Sequence, residues 1–270
     1  MADLCAVVLA AGEGQRLRPL TELLPKALCP VGNVPLLDLA LARVAGFDLR
    51  GPADVAVNAS YLGEQVVAHA GDRAHLSVEP DGPLGTSGGV GNLRDWIGGR
   101  GVLVANADAY LAGGDPGALL AGWDGETVRL LGQPVRDTSQ PGLFSGHRFA
   151  GLSLLPWRRV RDLDATPAEL VRTVWRPAEA AGELEVVPFD GVFIDTGTPH
   201  DYLAANLHAA GHNLVAGTVT GRCVRSVVGA GATVAGDVVD SVVWPGAVVA
   251  AGEHLDHAIR AGRHLTVAGR

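Results

Sequence analysis

Residues 9–26 read LAAGEGQRLRPLTELLPK, a glycine-bearing turn followed by two arginines and, at Lys26, the only lysine of the chain. Lysine and arginine together number 21, so every other such cation is an arginine. The two are not equivalent. Arginine is a planar fork suited to bidentate pairing, whereas lysine is a point charge on a flexible stem that can follow a phosphate oxygen as its geometry changes. Gly12 and Gly14 would allow a tight turn whose backbone N–H groups face an anion without Cβ clashes. Turn and cation together suggest phosphate chemistry, although a drift of composition toward arginine would also leave one lysine behind. Two common phosphate folds do not fit. The dinucleotide fingerprint needs a third glycine and an immediate helix, but Arg16 to Pro19 intervene, and no Gly-Lys-Ser/Thr marks a P-loop.

The elements that must hold this loop alternate in type. Residues 3–9 read as a buried strand, 35–45 as a helix with Pro35 in its first turn and Gly46 beyond it, and 53–58 as a second strand. Residues 61–70 read as helix, 75–79 as strand, 88–97 as helix, 101–105 as strand and 116–123 as helix. This order predicts βαβ units: an α/β, Rossmann-like, mostly parallel (mixed) sheet with helices on both faces. Ligands of such sheets gather at the carboxyl ends of the strands, which is where residues 10–18, 79–86 and 106–108 fall. From about residue 214 the pattern changes. The segments 227–234 (VVGAGATV), 242–249 (VVWPGAVV) and 258–265 (AIRAGRHL) superimpose, with apolar pairs at Val228/Val234, Val243/Val249 and Ile259/Leu265. A repeat of about 15–16 residues built on apolar–glycine–apolar hexads predicts a short C-terminal parallel β-helix, with three antiparallel hairpins as the alternative. The expected division is 1–213 for the main domain and 214–270 for the tail.

Composition limits the partners. The net charge of −8 disfavours a nucleic-acid surface, and no apolar run approaches the roughly 18 residues of a membrane span. Residues 1–3 lack a basic region and lead into a short apolar run that ends in the glycine turn, so no export signal is expected. The three cysteines, Cys5, Cys29 and Cys223, show neither metal-ligand spacing nor an even count. A reducing, cytoplasmic setting fits them.

Residues 9–31, LAAGEGQRLRPLTELLPKALCPV, closely resemble the signature of the sugar-1-phosphate nucleotidyltransferases. PLGTSGGV at 83–90 resembles that family's second nucleotide loop, VANAD at 104–108 its metal-binding strand end, and FIDTGTP at 193–199 the strand carrying its second metal carboxylate. The tail resembles its frequent left-handed β-helix. The resemblance implies a Mg²⁺-dependent reaction in which a sugar 1-phosphate attacks the α-phosphorus of a nucleoside triphosphate, giving NDP-sugar and pyrophosphate. Asp108 and Asp195 would hold the metal, Arg16 would grip the triphosphate, and Lys26 would follow charge between the two phosphates; these four are the implied catalytic residues. Leu9, Ala10, Ala11, Gly12, Gly14, Glu79, Gly85, Thr86 and Ala107 would complete the nucleotide site, and Asn106, Gly151 and Glu169, with Lys26, the sugar-phosphate site. Each has a plainer reading: Asp108 and Asp195 as turn residues, the glycines at 85, 88 and 89 as flexible loop, Glu169 as a solvated helix face.

Two positions bear on specificity. Glu79 stands where many relatives carry a base-reading glutamine, and a carboxylate could accept both donors of guanine, which favours GTP and a mannose-1-phosphate-like sugar. Uridylyl and thymidylyl transfer within the family remain alternatives, as does a noncatalytic nucleotide-sugar-binding regulatory subunit. The family's second lysine, in a Glu-Lys-Pro segment, has no counterpart in Gly132-Gln133-Pro134, leaving Arg136 or Arg148 to supply that charge, or placing the chain in the compact branch of mannose-1-phosphate guanylyltransferase-like and N-acetylmuramate-1-phosphate uridylyltransferase-like proteins. Self-association through the tail is a further expectation. An acyltransferase reading of the repeat would need more coils and acceptor machinery that the sequence lacks.

Overall fold

The computed structural model describes residues 3–270; Met1 and Ala2, which open the segment read for an export signal, lie outside them. The chain forms two compact units, one from Met1–Glu13 and Leu37–Phe193, the other from Gly14–Leu36 and Ile194–Arg270.

The first unit is an α/β fold around a seven-stranded sheet. Its strands are β1 (Leu4–Leu9), β2 (Val55–Ala59), β3 (His75–Val78), β4 (Gly101–Asn106), β5 (Val128–Pro134), β6 (His147–Leu155) and β7 (Leu184–Pro188). Their spatial order is β7-β5-β6-β4-β1-β2-β3. All neighbours run parallel except β6, which is antiparallel to both β4 and β5. Cys5, Val7, Val102 and Val104 join one buried cluster, yet the alternate residues Ala6, Val8, Leu103 and Ala105 are equally buried. Side chains alternate across a strand, so both faces of the central strands are covered, as a parallel sheet requires.

From β1 the chain moves outward through β2 and β3, then returns to lay β4 on the other flank of β1. Connections leave β1 and β4 in opposite directions, which opens a crevice at the carboxyl ends of these two strands. Leu9 pairs with Asn58 on one side and Asn106 on the other, so two asparagines flank the last residue of β1.

One helix expectation changes in the structure. The segment expected over 116–123 forms only a 3₁₀ turn at Pro116–Leu119, capped by Asp115. The helix expected over 88–97 is present and starts earlier, as α2 (Gly85–Asn92) followed by a short helix at Arg94–Ile97, so the plainer loop reading of the glycines does not hold; α1 (Leu36–Ala45), which begins after Pro35, precedes it in the chain. Glycine lowers helix propensity, so packing must explain α2. A Cβ at Gly85, Gly88 or Gly91 would lie 2.5 Å from Ala168 O, 2.3 Å from Thr166 O or 2.4 Å from Asp164 O. Glycines three residues apart therefore form a bare stripe onto which residues 164–168 dock with their backbone. Ser87 N–H donates to Ala168 O at 2.9 Å, and Ala168 N–H to Leu84 O at 3.0 Å.

In the second unit, the first residues pass through three 3₁₀ turns, Gln15–Leu17, Leu20–Glu22 and Lys26–Leu28. Helix α3 (Pro199–Ala210) starts at Thr198, whose hydroxyl accepts from Asp201 N–H. The Tyr202 hydroxyl is fully buried, donates to Pro30 O and accepts from Trp244 Nε1 at 3.0 Å. Asn206 accepts from Gly32 N–H at 3.0 Å. These bonds tie residues 30–32 to α3. Beyond it, three ladders of short strands pair in parallel, Val227 with Val242, Thr233 with Val248 and Cys223 with Val238. Parallel pairing excludes the three antiparallel hairpins. The last step differs from the sequence alignment: Val242 pairs with Ile259, 17 residues on, and Ala258–Ala261 then turns back antiparallel onto Leu265–Ala268.

The glycine stripe predicts an asymmetry. Gly91→Ala should lower the unfolding free energy by about 1–3 kcal/mol, because its methyl group meets backbone. Gly12→Ala, with nothing within 4 Å of the added carbon, should stay within about 0.5 kcal/mol of the parent in urea unfolding. Equal behaviour of the two variants would contradict the packing role of the stripe.

Candidate functional site

A cavity of about 680 Å³ lies in the first unit. Three chain segments from the carboxyl ends of strands line it: Leu9, Ala11 and Gly12 after β1, Asn58 at β2, and Asn106 and Asp108 after β4. Pro83, Gly85 and Thr86 enter at the start of α2. A further wall comes from residues 167–169 with Arg172 and Thr173, a segment in which sequence reading had marked only Glu169.

One buried chain of hydrogen bonds holds these loops in register. Ala10 N–H donates to Asn58 Oδ1 at 2.7 Å, Asn58 Nδ2 donates to Glu79 Oε1 at 2.7 Å, and Leu84 N–H donates to Glu79 Oε2 at 2.8 Å. The main chain of Glu79 is anchored as well, its N–H to Ala59 O and its carbonyl to the Ser60 hydroxyl. Glu79 is 3% exposed, and burial pushes its carboxyl above the ordinary range while the Leu84 and Asn58 donors pull it back. The expected base-reading carboxylate thus braces the cavity from behind. Both its oxygens already accept bonds, and it does not line the space.

Other expected residues also act through the backbone. Ala107 N–H donates to Leu9 O at 3.0 Å, locking the β4 loop to β1. Gly151 adopts φ +80° within β6, and a Cβ there would lie 2.4 Å from that of Ala109; it gives room for close packing and is not part of the cavity wall. Glu169 does line the cavity, with Oε2 accepting from the Thr86 hydroxyl at 2.7 Å. Of the two arginines considered for the missing lysine, neither lines the cavity. The Arg148 guanidinium donates to Gln133 Oε1 at 3.0 Å and lies 5.1 Å from the Phe193 ring centre.

Arg16, Lys26 and Asp195 come together within the second unit. Lys26 Nζ is 3.5 Å from Asp195 Oδ1, and Arg16 Nη2 is 3.5 Å from Asp195 Oδ2. The Lys26 residue is 7% exposed, whereas the Asp195 and Arg16 side chains are open to solvent. Gly14 explains the burial. It sits at φ +62°, and a Cβ there would be 2.8 Å from Thr21 Cγ2 and 3.0 Å from Lys26 Cβ, so only glycine lets the loop close over the lysine stem. Gly12 has neither a positive φ nor a crowded Cβ, unlike the turn role expected for it. Gly197 leaves room for the Arg16 guanidinium.

Comparison with known proteins follows this geometry. Residues 5–121 match the family model described as nucleotidyl transferase. The chain is 36% identical over 239 residues to the N-acetylmuramate alpha-1-phosphate uridylyltransferase of Caulobacter vibrioides, covering 76% of this chain and 96% of that protein. The chain belongs to the sugar-1-phosphate nucleotidyltransferase family. The enzyme of the same name from Neisseria meningitidis serogroup B is 38% identical over 111 residues, covering 38% of this chain and 46% of that protein. The mannose-1-phosphate guanylyltransferase of Mycobacterium tuberculosis is 36% identical over 120 residues, covering 43% of this chain and 32% of its own length. The match to these last two thus spans less than half of each relative. The fold is also that of a solved putative glucose-1-phosphate thymidylyltransferase from Bacillus anthracis, with a TM-score of 0.62 at 20% identity over 76% of this chain and 95% of that one. Among the described residues, no helix is long and apolar enough to cross a membrane.

The brace makes a prediction. Glu79→Gln keeps the volume but presents a donor where Asn58 or Leu84 also donates, and Asn58 cannot turn over without losing Ala10. We expect nucleoside triphosphate affinity to fall about tenfold with the order of preference among bases unchanged, read by calorimetry across the triphosphates. A reordered base preference would put Glu79 in contact with the base.

Proposed function

We propose that the protein joins a sugar or sugar-like 1-phosphate to a nucleoside triphosphate, releasing pyrophosphate. Family membership supports the reaction class, and the observation that carries the reading is the buried Lys26 ammonium held beside Asp195 and Arg16. A phosphate oxygen of the sugar 1-phosphate forms a bond to the α-phosphorus, while the bond from that phosphorus to the bridging oxygen of pyrophosphate breaks. The nucleophile is already ionised at neutral pH, so no general base is required. Positioning and charge neutralisation carry the catalysis. Lys26, a compact cation on a covered stem, can shift between the phosphate that attacks and the one attacked. Arg16 would fork onto the triphosphate, and the first loop with Gly12 would offer its backbone to it.

Mg²⁺ is the proposed cofactor, with Asp108 and Asp195 as its protein ligands. Their carboxylate oxygens are the hard donors that this ion selects, and Asp108 stands on the cavity wall beside Asn106. When bound, the ion would offset charge on the α-phosphate and the leaving group.

The base preference has two readings. The type of residue at Glu79 favoured GTP with a mannose-1-phosphate-like sugar. Engagement of both Glu79 oxygens removes the simplest reason for guanine and favours the second, uridylyl transfer, in line with the long match to the Caulobacter vibrioides relative. A matrix of triphosphates against sugar 1-phosphates, read by pyrophosphate release with Mg²⁺, decides between them. Release with no pair would overturn the enzymatic reading in favour of a noncatalytic nucleotide-sugar-binding subunit. In the productive pair, Lys26→Arg should lower turnover at least about tenfold, roughly 1.4 kcal/mol, because a planar fork with its charge spread over five donors does not follow a moving phosphate charge as a compact ammonium does. Near-parental turnover would deny Lys26 its role.

We read the parallel ladders as a left-handed β-helix and the tail as a surface for self-association, with a cytoplasmic setting for the whole chain. Burial of Val228, Val234, Val243 and Val249 at 0–1% exposure supports the stacked-coil reading. Sedimentation should give a mass above that of one 27.8 kDa chain; a monomer at micromolar concentration would contradict association.

A further inference from the structure

We infer that Arg172 is the cation that grips the phosphate of the sugar 1-phosphate. This rests on the nucleotidyl-transfer reading above and names a residue for its second substrate. Among the described residues that line the cavity, Arg172 is the only cation, set against the carboxylates of Asp108 and Glu169. Among the described residues its guanidinium makes no hydrogen bond or ion pair, whereas Arg158, Arg159 and Arg176 of the same unit are each paired with a glutamate. A planar fork without a protein partner, on the wall of a polar cavity, suits a phosphate monoester through two parallel N–H···O bonds.

The mount is rigid, as a recognition residue requires. Arg172 stands in a π-helical turn, Val171–Trp175, an element found mostly as single turns and frequently at functional sites. Leu170, Val174 and Trp175 of this stretch are buried in the core cluster, which leaves Arg172 and Thr173 on the open side. Three bonds fasten the turn to α2: Leu170 N–H to the Thr86 hydroxyl at 2.8 Å, the Thr86 hydroxyl to Glu169 at 2.7 Å, and the Thr173 hydroxyl to the Ser87 hydroxyl at 2.8 Å. Glu169 is thereby turned toward Thr86, so the nearest carboxylate on its own segment does not neutralise Arg172.

The triphosphate already has its own proposed cation in Arg16, the loop after β1 supplies its backbone donors, and Lys26 is shared between the two phosphates that meet. Arg172 arrives on a separate segment, and the attacking phosphate is the one that has no cation of its own beside the shared Lys26. The neutral part of that substrate would meet the polar side chains of Asn106 and Thr173.

The test is calorimetric titration of glucose, mannose and N-acetylglucosamine 1-phosphates, and separately of UTP and GTP, into the parent, Arg172→Gln, Arg172→Lys and the control Arg136→Gln. Arg172→Gln should weaken sugar 1-phosphate binding at least tenfold, Arg172→Lys should recover part of it, and triphosphate affinity should stay within twofold. All variants should melt with the parent, because the side chain has no partner among the described residues. Unchanged sugar 1-phosphate affinity, an equal loss for the triphosphate, or a parent that binds none of the three phosphates would overturn the assignment. Failure of the enzymatic reading is a separate result: the expected binding pattern with no pyrophosphate release by the parent removes nucleotidyl transfer and leaves Arg172 as a sugar-phosphate ligand.

Discussion

A single asparagine amide holds the cavity's loops together. Asn58 accepts from Ala10 in the loop after β1 and donates to Glu79, which in turn takes the first free N–H before α2. Strand ends at the edge of a parallel sheet leave backbone groups with no ladder partner, and each buried one must be satisfied or cost about 1–3 kcal/mol. Here the satisfaction is shared along a chain of residues, so two loops distant in sequence are set by one side-chain contact. The carboxylate is costly to bury, as the upward push on its pKa shows, and it persists because two donors need it.

The glycine-rich helix extends that constraint. Leu84, fixed by Glu79, leads directly into α2, whose bare face admits residues 164–168. Those residues are followed by the π-helical turn that carries Arg172 and Thr173 into the cavity. Position thus passes from the sheet edge through Asn58 and Glu79 to α2, and from α2 to the far wall. In the second unit the equivalent economy is at Gly14, where the absence of one methyl group lets the loop cover the lysine stem and leave the ammonium at Asp195.

What the residues alone disclosed follows the range of the physics. Strands β1 to β4 were legible because burial on both faces writes continuous apolar runs, and Lys26 because it stands alone in composition and inside a long motif. The return through β5, β6 and β7 was not, since an antiparallel insertion leaves no local mark on the strands it separates. The helix over 88–97 was legible, but not why its face is glycine, because that reason, the backbone of residues 164–168, lies far along the chain. Glu79 was legible as unusual but not as a brace, because its partners are the amide of Asn58 and a main-chain N–H. Arg172 had no signal of its own: one arginine among many gains meaning only when a π turn and a cavity single it out. The tail's repeat was readable to its third hexad, where a two-residue lengthening and a closing hairpin depart from the period.

The central claim is that one hydrogen-bonded chain sets both loops, and amide hydrogen exchange reads it at its two ends. In the unliganded protein the amides of Ala10 and Leu84 should both be strongly protected. In Glu79→Ala both should lose protection together, since release of the Asn58 side chain frees Ala10 although it never touches residue 79. Loss at Leu84 with Ala10 still protected would show that the loops are held independently and would contradict the account.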